Sequence, residues 1–131
     1  MKMINLFLAG FLLFATNCSK DETDKKQTLK DKLIGKWIEV SPCENCNTFT
    51  FSQNDSIFQT VKSDETIYSL SYIVINEDSI QVTRNWEIEQ AKKTTKHKVI
   101  FLSSDTIRIN QFLPVDFGTT GFEDVTLAKS E

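Results

Sequence analysis

Three stretches of the chain repeat one pattern of apolar and polar positions. They run Phe49 to Ile57, Tyr72 to Ile80 and Val99 to Ile107, and each is an apolar or β-branched run, a polar turn, and then Asp55-Ser56-Ile57, Asp78-Ser79-Ile80 or Asp105-Thr106-Ile107. Short Asp and Ser side chains bond nearby backbone N–H groups and favour turns. The β-branched isoleucine then restarts a pleated strand. The pattern predicts three successive β-hairpins. An opening strand around 35–41 and a closing strand around 122–129 raise the count to about eight, the number at which an up-and-down antiparallel barrel closes on itself and loses its exposed edges. An open meander or a sandwich of the same strands is the alternative.

Two local patterns refine this all-β reading. Ahead of the first strand, Thr28 stands three residues before Asp31, with Leu29 and Leu33 one turn apart. That spacing predicts a short capped helix able to plug one end of the barrel. Along 80–88 the period of two places Ile80, Val82, Arg84, Trp86 and Ile88 on one face, with Gln81, Thr83, Asn85 and Glu87 on the other. An arginine on the inward face needs a partner. An internal salt bridge or stacking on Trp37 would supply one; so would the anionic head group of a ligand.

The N-terminus carries a different signal. The apolar run from Ile4 to Ala15 follows Lys2 and is well short of the ~20 residues a membrane-crossing helix needs, so residues 1–17 read as a secretion signal. Ala15-Thr16-Asn17-Cys18 resembles the lipobox of bacterial lipoproteins, with Asn17 where Gly or Ala is commonest. The resemblance implies cleavage before Cys18 and acylation of its thiol, which tethers a protein to a membrane without spanning it. Residues 18–27 are polar and charged and read as a flexible tether. Within them Ser19, Lys20, Asp21 and Glu22 resemble the export tag that carries some lipoproteins of Gram-negative bacteria to the cell surface. The expected address is therefore the outer membrane, on its periplasmic face or at the cell surface, and residues 28–131 form one barrel domain.

Composition narrows the chemistry. Loss of residues 1–17 removes Lys2 alone among charged residues and leaves 14 Lys and Arg against 18 Asp and Glu, a net charge of −4. A nucleic-acid partner is not expected at that charge. Cys43 and Cys46 remain as an even pair in an oxidising compartment, which points to a small loop disulfide. A zinc site needs about four ligands, and the one histidine, His97, lies far off in a Lys-rich segment. Copper(I) or redox chemistry at the pair stays open. There is no nucleophile motif and no phosphate-cradling glycine loop, so neither an enzyme, a cofactor nor a resident metal is expected.

Gly35-Lys36-Trp37 matches the Gly-x-Trp that begins the first strand of lipocalins after a short helical turn, and over 28–129 the chain resembles lipocalin-like lipoproteins. In that family an Arg near the last strand covers the Trp. The closing strand here has no Arg, so another residue must cover Trp37. The resemblance implies a binding protein for a small apolar or anionic amphipathic ligand, with Trp37, Arg84 and Trp86 as candidate ligand residues. A second resemblance joins this first strand to Pro42-Cys43-Glu44-Asn45-Cys46 and is similar to the N-terminal barrel of envelope-stress and copper-resistance lipoproteins. It implies instead a packed interior and action through the surface or the Cys43–Cys46 loop.

Overall fold

The computed structural model describes residues 26–84, 93–114 and 122–131. They form helix α1 (Leu29–Leu33) and eight strands: β1 (Gly35–Ser41), β2 (Asn47–Phe51), β3 (Ser56–Val61), β4 (Ile67–Val74), β5 (Ser79–Arg84), β6 (Lys93–Phe101), β7 (Thr106–Pro114) and β8 (Phe122–Lys129). Each strand pairs antiparallel with the next, and β8 pairs back onto β1, giving a closed up-and-down barrel rather than an open meander or a sandwich. The candidate lipidation site Cys18, the tag Ser19 to Glu22, and Trp86 lie outside the described residues.

The three repeated turns are built alike, and all sit at one end. In each, the N–H that ends a strand donates to the carbonyl of the Ser or Thr that opens the next: Ser52 to Ser56, Ile75 to Ser79 and Leu102 to Thr106, all at 2.9 Å. Each turn aspartate then accepts through its own carbonyl from the strand beyond its hairpin, Asp55 from Tyr72 N–H at 2.9 Å, Asp78 from Val99 and Asp105 from Lys129 at 2.7 Å. These corners thus stitch β4, β6 and β8 to the hairpins before them. The isoleucines that follow, Ile57, Ile80 and Ile107, are fully buried.

The same end is closed by α1. Thr28 and Asp31 form a reciprocal capping box, with Asp31 N–H on the threonine hydroxyl at 3.2 Å and Thr28 N–H on the Asp31 carboxylate at 3.1 Å. Such a cap compensates for the poor intrinsic stability of so short a helix. Its Leu29 and Leu33 turn into the barrel, and the Leu33 carbonyl accepts from the buried Trp37 indole N–H at 2.7 Å. The residue that covers Trp37 is Lys129 of β8, whose ammonium lies 5.3 Å from the ring centroid. Gly35 makes that approach feasible. Its φ of +130° disfavours any L side chain, and a Cβ there would stand 3.2 Å from the Lys129 Cε.

Above the plug, alternation delivers the core. Phe49 and Phe51, Leu70 and Tyr72, Ile80 and Val82, Ile107 and Ile109, and Val125 and Leu127 all point inward. Phe51 meets Tyr72 edge-on at 5.4 Å, and Phe49 meets Phe112 edge-on at 5.3 Å. At the level of Phe49 and Phe112 the interior is therefore a packed core. The opposite end carries the connections 42–46 and 62–66, and β5 and β7 also end there.

Candidate functional site

The regular sheet is broken in the upper half of β7. Between the register pairs Ile109↔Val125 and Leu113↔Glu123, four steps along β7 face two along β8. Gln111 sits in this bulge with φ +48°; the other non-glycine residues of positive φ among the described residues, Asn45, Asp55 and Glu65, all lie in connections between strands. Its N–H is held by the Asp124 carboxylate at 2.8 Å. The bulge shifts the phase of the strand, so that Phe112 rather than Gln111 enters the core. It also ends the pairing with β6, which runs only from Phe101↔Ile107 to Val99↔Ile109. Bulges of this kind re-aim side chains and gather beside functional sites.

Side chains take over where that ladder stops. The Arg84 guanidinium donates through Nη2 to the Phe112 carbonyl and through Nη1 to the Thr95 hydroxyl, both at 2.6 Å. Thr95 Oγ1 is also 2.7 Å from His97 Nε2, and His97 Nδ1 is 3.0 Å from the Asn110 carbonyl. The strands place these groups by register and parity, since Arg84 pairs with Lys93 and Val82 with Thr95, which sets Thr95 and His97 inward on β6. The rings of Phe112 and Phe122 flank the guanidinium at 5.4 and 5.1 Å from their centroids, cation–π contacts that favour the charged form.

This cluster is electrostatically unusual. Arg84 is only 4% exposed, and among the described residues no carboxylate lies within ion-pair distance of it. Burial pulls its pKa down to about 10, which still leaves it charged at neutral pH. Burial also lowers the pKa of His97, an effect opposed by the backbone of Asn110 and reinforced by the Arg84 charge. Stability linked to His97 is therefore complete above the ordinary imidazole pKa of about 6.5 and declines as acid protonates the unfolded chain first.

A second polar cluster occupies the opposite wall. The Glu39 side chain, 1% exposed, accepts from the Cys43 N–H at 3.0 Å and from the Asn47 amide at 2.6 Å. Asn47 in turn accepts from Gln59 Nε2 at 2.9 Å, and the Glu39 carbonyl accepts from Asn45 N–H at 2.8 Å. These bonds tie the cysteine loop to the barrel wall. Cys43 and Cys46 stand at disulfide distance, with a Cα–Cα separation of 5.6 Å.

The sequence-predicted site residues are thus separated. Arg84 lies inside, as alternation required, but it stacks on Phe112 and Phe122, while Trp37 stands at the plugged end bonded to Leu33. The Cys43–Cys46 loop belongs to the Glu39 wall. No group of His, Cys, Asp and Glu suited to a metal occurs among the described residues. A surface groove of about 550 Å³ runs outside the barrel beside this loop, along Ile38, Thr48, Thr60 and Ile67. Those four residues are successive register partners across β1 to β4. Neither a protein-family model nor a curated protein matches the sequence.

The cysteine loop gives a direct test of what holds it. Glu39→Ala leaves the Cys43 N–H and the Asn47 amide without their acceptor and is expected to destabilise the fold by about 1.5–3 kcal/mol. Replacing both cysteines with serine opens a very short loop, worth about 2 kcal/mol in the chain-entropy description. Urea unfolding of the two variants should show Glu39→Ala to be at least as destabilising. Collapse of the serine variant beside an unaffected Glu39→Ala would show that the disulfide alone holds the loop.

Proposed function

We propose that the protein is a lipid-anchored envelope lipoprotein whose lipocalin-like barrel binds, without transforming, a small anionic amphipathic molecule at the end opposite α1. The observation that carries the reading is Arg84, a buried guanidinium whose acceptors among the described residues are a hydroxyl and a carbonyl, both neutral. A cation desolvated in this way gains from an anion brought to it, and its planar fork suits a carboxylate or sulfonate. The ring of Phe122, half-buried beside the guanidinium, offers aromatic surface for an apolar chain. Because Phe49 and Phe112 fill the interior beneath Arg84, the ligand enters head first and its chain stays in the mouth. Cys18 supplies the anchor and residues 19–27 the tether, which joins the barrel at its plugged end. Location at the outer membrane and the absence of catalysis belong to this same reading.

A second reading has an observation of its own. With the interior packed, the groove beside the cysteine loop and the exposed Ile67 make the outer face of β1 to β4 a candidate interaction surface.

Arg84→Met separates the two. If the guanidinium serves a ligand, the change removes an uncompensated charge and orphans one carbonyl, so stability should fall by no more than about 1–3 kcal/mol while dodecanoate binding is lost. If Arg84 instead closes a buried ion pair, the loss should reach about 3–5 kcal/mol. A loss of that size, in a wild type that binds no dodecanoate, would contradict the carrier reading and favour the surface. For the anchor, radiolabelled palmitate should enter the wild type and not Cys18→Ala; equal labelling rules the anchor out.

A further inference from the structure

The hydrogen-bond chain behind Arg84 leaves its proton positions little freedom. A backbone carbonyl only accepts, so His97 Nδ1 must donate to Asn110, and Arg84 only donates, so Thr95 Oγ1 must accept from it. A neutral imidazole has one N–H. With Nδ1 protonated, His97 Nε2 presents a lone pair to the Thr95 hydroxyl, which donates to it at 2.7 Å. Every member of the chain is then satisfied, and Arg84 Nη1 is fixed to an oxygen that cannot turn away.

Protonation of His97 breaks this order. Nε2 becomes a donor aimed at the same Thr95 oxygen that already accepts from Arg84, and the hydroxyl proton loses its acceptor. Two cations then face one oxygen, with Nη1 and Nε2 held within about 5 Å of each other by the two short bonds. Among the described residues the charged group acting on His97 is Arg84 from β5. On β6 itself Lys96 and Lys98 point outward, and Lys98 lies 3.6 Å from Asp78. On β7 Arg108 is exposed, and the inward groups are the Asn110 and Gln111 backbone and the Phe112 ring, 5.3 Å away. Ile80, the register partner of His97, is apolar. From the far wall Glu39 is occupied by Cys43 and Asn47. Glu87, Glu89, Lys92 and Asp116 lie outside the described residues, as does the side chain of Lys93, the register partner of Arg84.

We propose that His97 is the positioning residue that holds Arg84 as an anion receptor, that it does so only as the neutral Nδ1–H imidazole, and that acidification releases the ligand because the loss of this fixed geometry outweighs the attraction that a second cation adds for an anion. The proposal rests on the reading of Arg84 as the group that meets the ligand's anion. The seam between β6 and β7 gives it a structural consequence. Where the ladder has stopped, Arg84 and His97 themselves supply the donors to the Phe112 and Asn110 carbonyls, so disturbing one loosens both.

The chain contains one histidine, so ¹⁵N NMR of the imidazole in the full chain, held in amphipol, needs no assignment. The expected wild-type spectrum at pH 7.5 is the Nδ1–H tautomer, titrating below the ordinary histidine range and moving upward in Arg84→Met. In parallel, 1-octanesulfonate is titrated by calorimetry from pH 7.5 to 5; its own charge is constant over that range. Its affinity should fall at least tenfold as the imidazole protonates, whereas in His97→Gln it should not change with pH. An Nε2–H tautomer at pH 7.5, or sulfonate affinity indifferent to the imidazole titration, overturns the positioning role of His97. Absence of sulfonate binding at pH 7.5, whatever the imidazole does, overturns instead the ligand reading beneath it.

Discussion

The barrel depends on the three repeated corners at its plugged end. Each one closes a hairpin through the carbonyl of a Ser or Thr and then passes its aspartate carbonyl to the N–H of a later strand, so that register is fixed in pairs and between pairs at once. A one-residue slip would turn Ile57, Ile80 and Ile107 to solvent, which burial forbids. With the lower end set by these corners, by the capped α1 and by Trp37 beneath Lys129, the upper end is free to depart from regular geometry.

It departs most in β7. The bulge removes ladder partners from β6 and β7 together, and a buried carbonyl without a donor costs about as much as a lost hydrogen bond. Arg84 and His97 provide those donors. A neutral side chain would serve the same structural end without carrying a charge into the interior, which makes the guanidinium chemically informative. On the opposite wall Glu39 is as deeply buried, and two neutral N–H donors meet its carboxylate and tie it to the cysteine loop.

Much of this was legible in the residues. The three Asp-Ser/Thr-Ile repeats gave the hairpins, their number implied closure, and Thr28 with Asp31 announced the cap. Alternation placed Arg84 inside. The same period of two, applied to Thr95, His97 and Val99, would have placed His97 beside it; the neighbouring Lys96 and Lys98 suggest a charged surface, although they occupy the outward positions. Phe112 could not be found this way. Continuing the period from Ile107 and Ile109 leads to Gln111, and a bulge that reverses the phase depends on pairing with β8 and on Asp124, a contact distant in sequence. The cover of Trp37 by Lys129 likewise needed the register of β1 against β8.

The central claim is that recognition at the end opposite α1 is recognition of charge by Arg84, with the apolar chain secondary. The most direct measurement is calorimetric titration of the wild-type protein with a medium-chain carboxylate and with the alcohol of equal chain length, at pH 7.5 and constant salt. The account predicts one-to-one binding of the carboxylate and at least tenfold weaker binding of the alcohol. Equal affinity for the two, or stronger binding of the alcohol, would contradict it.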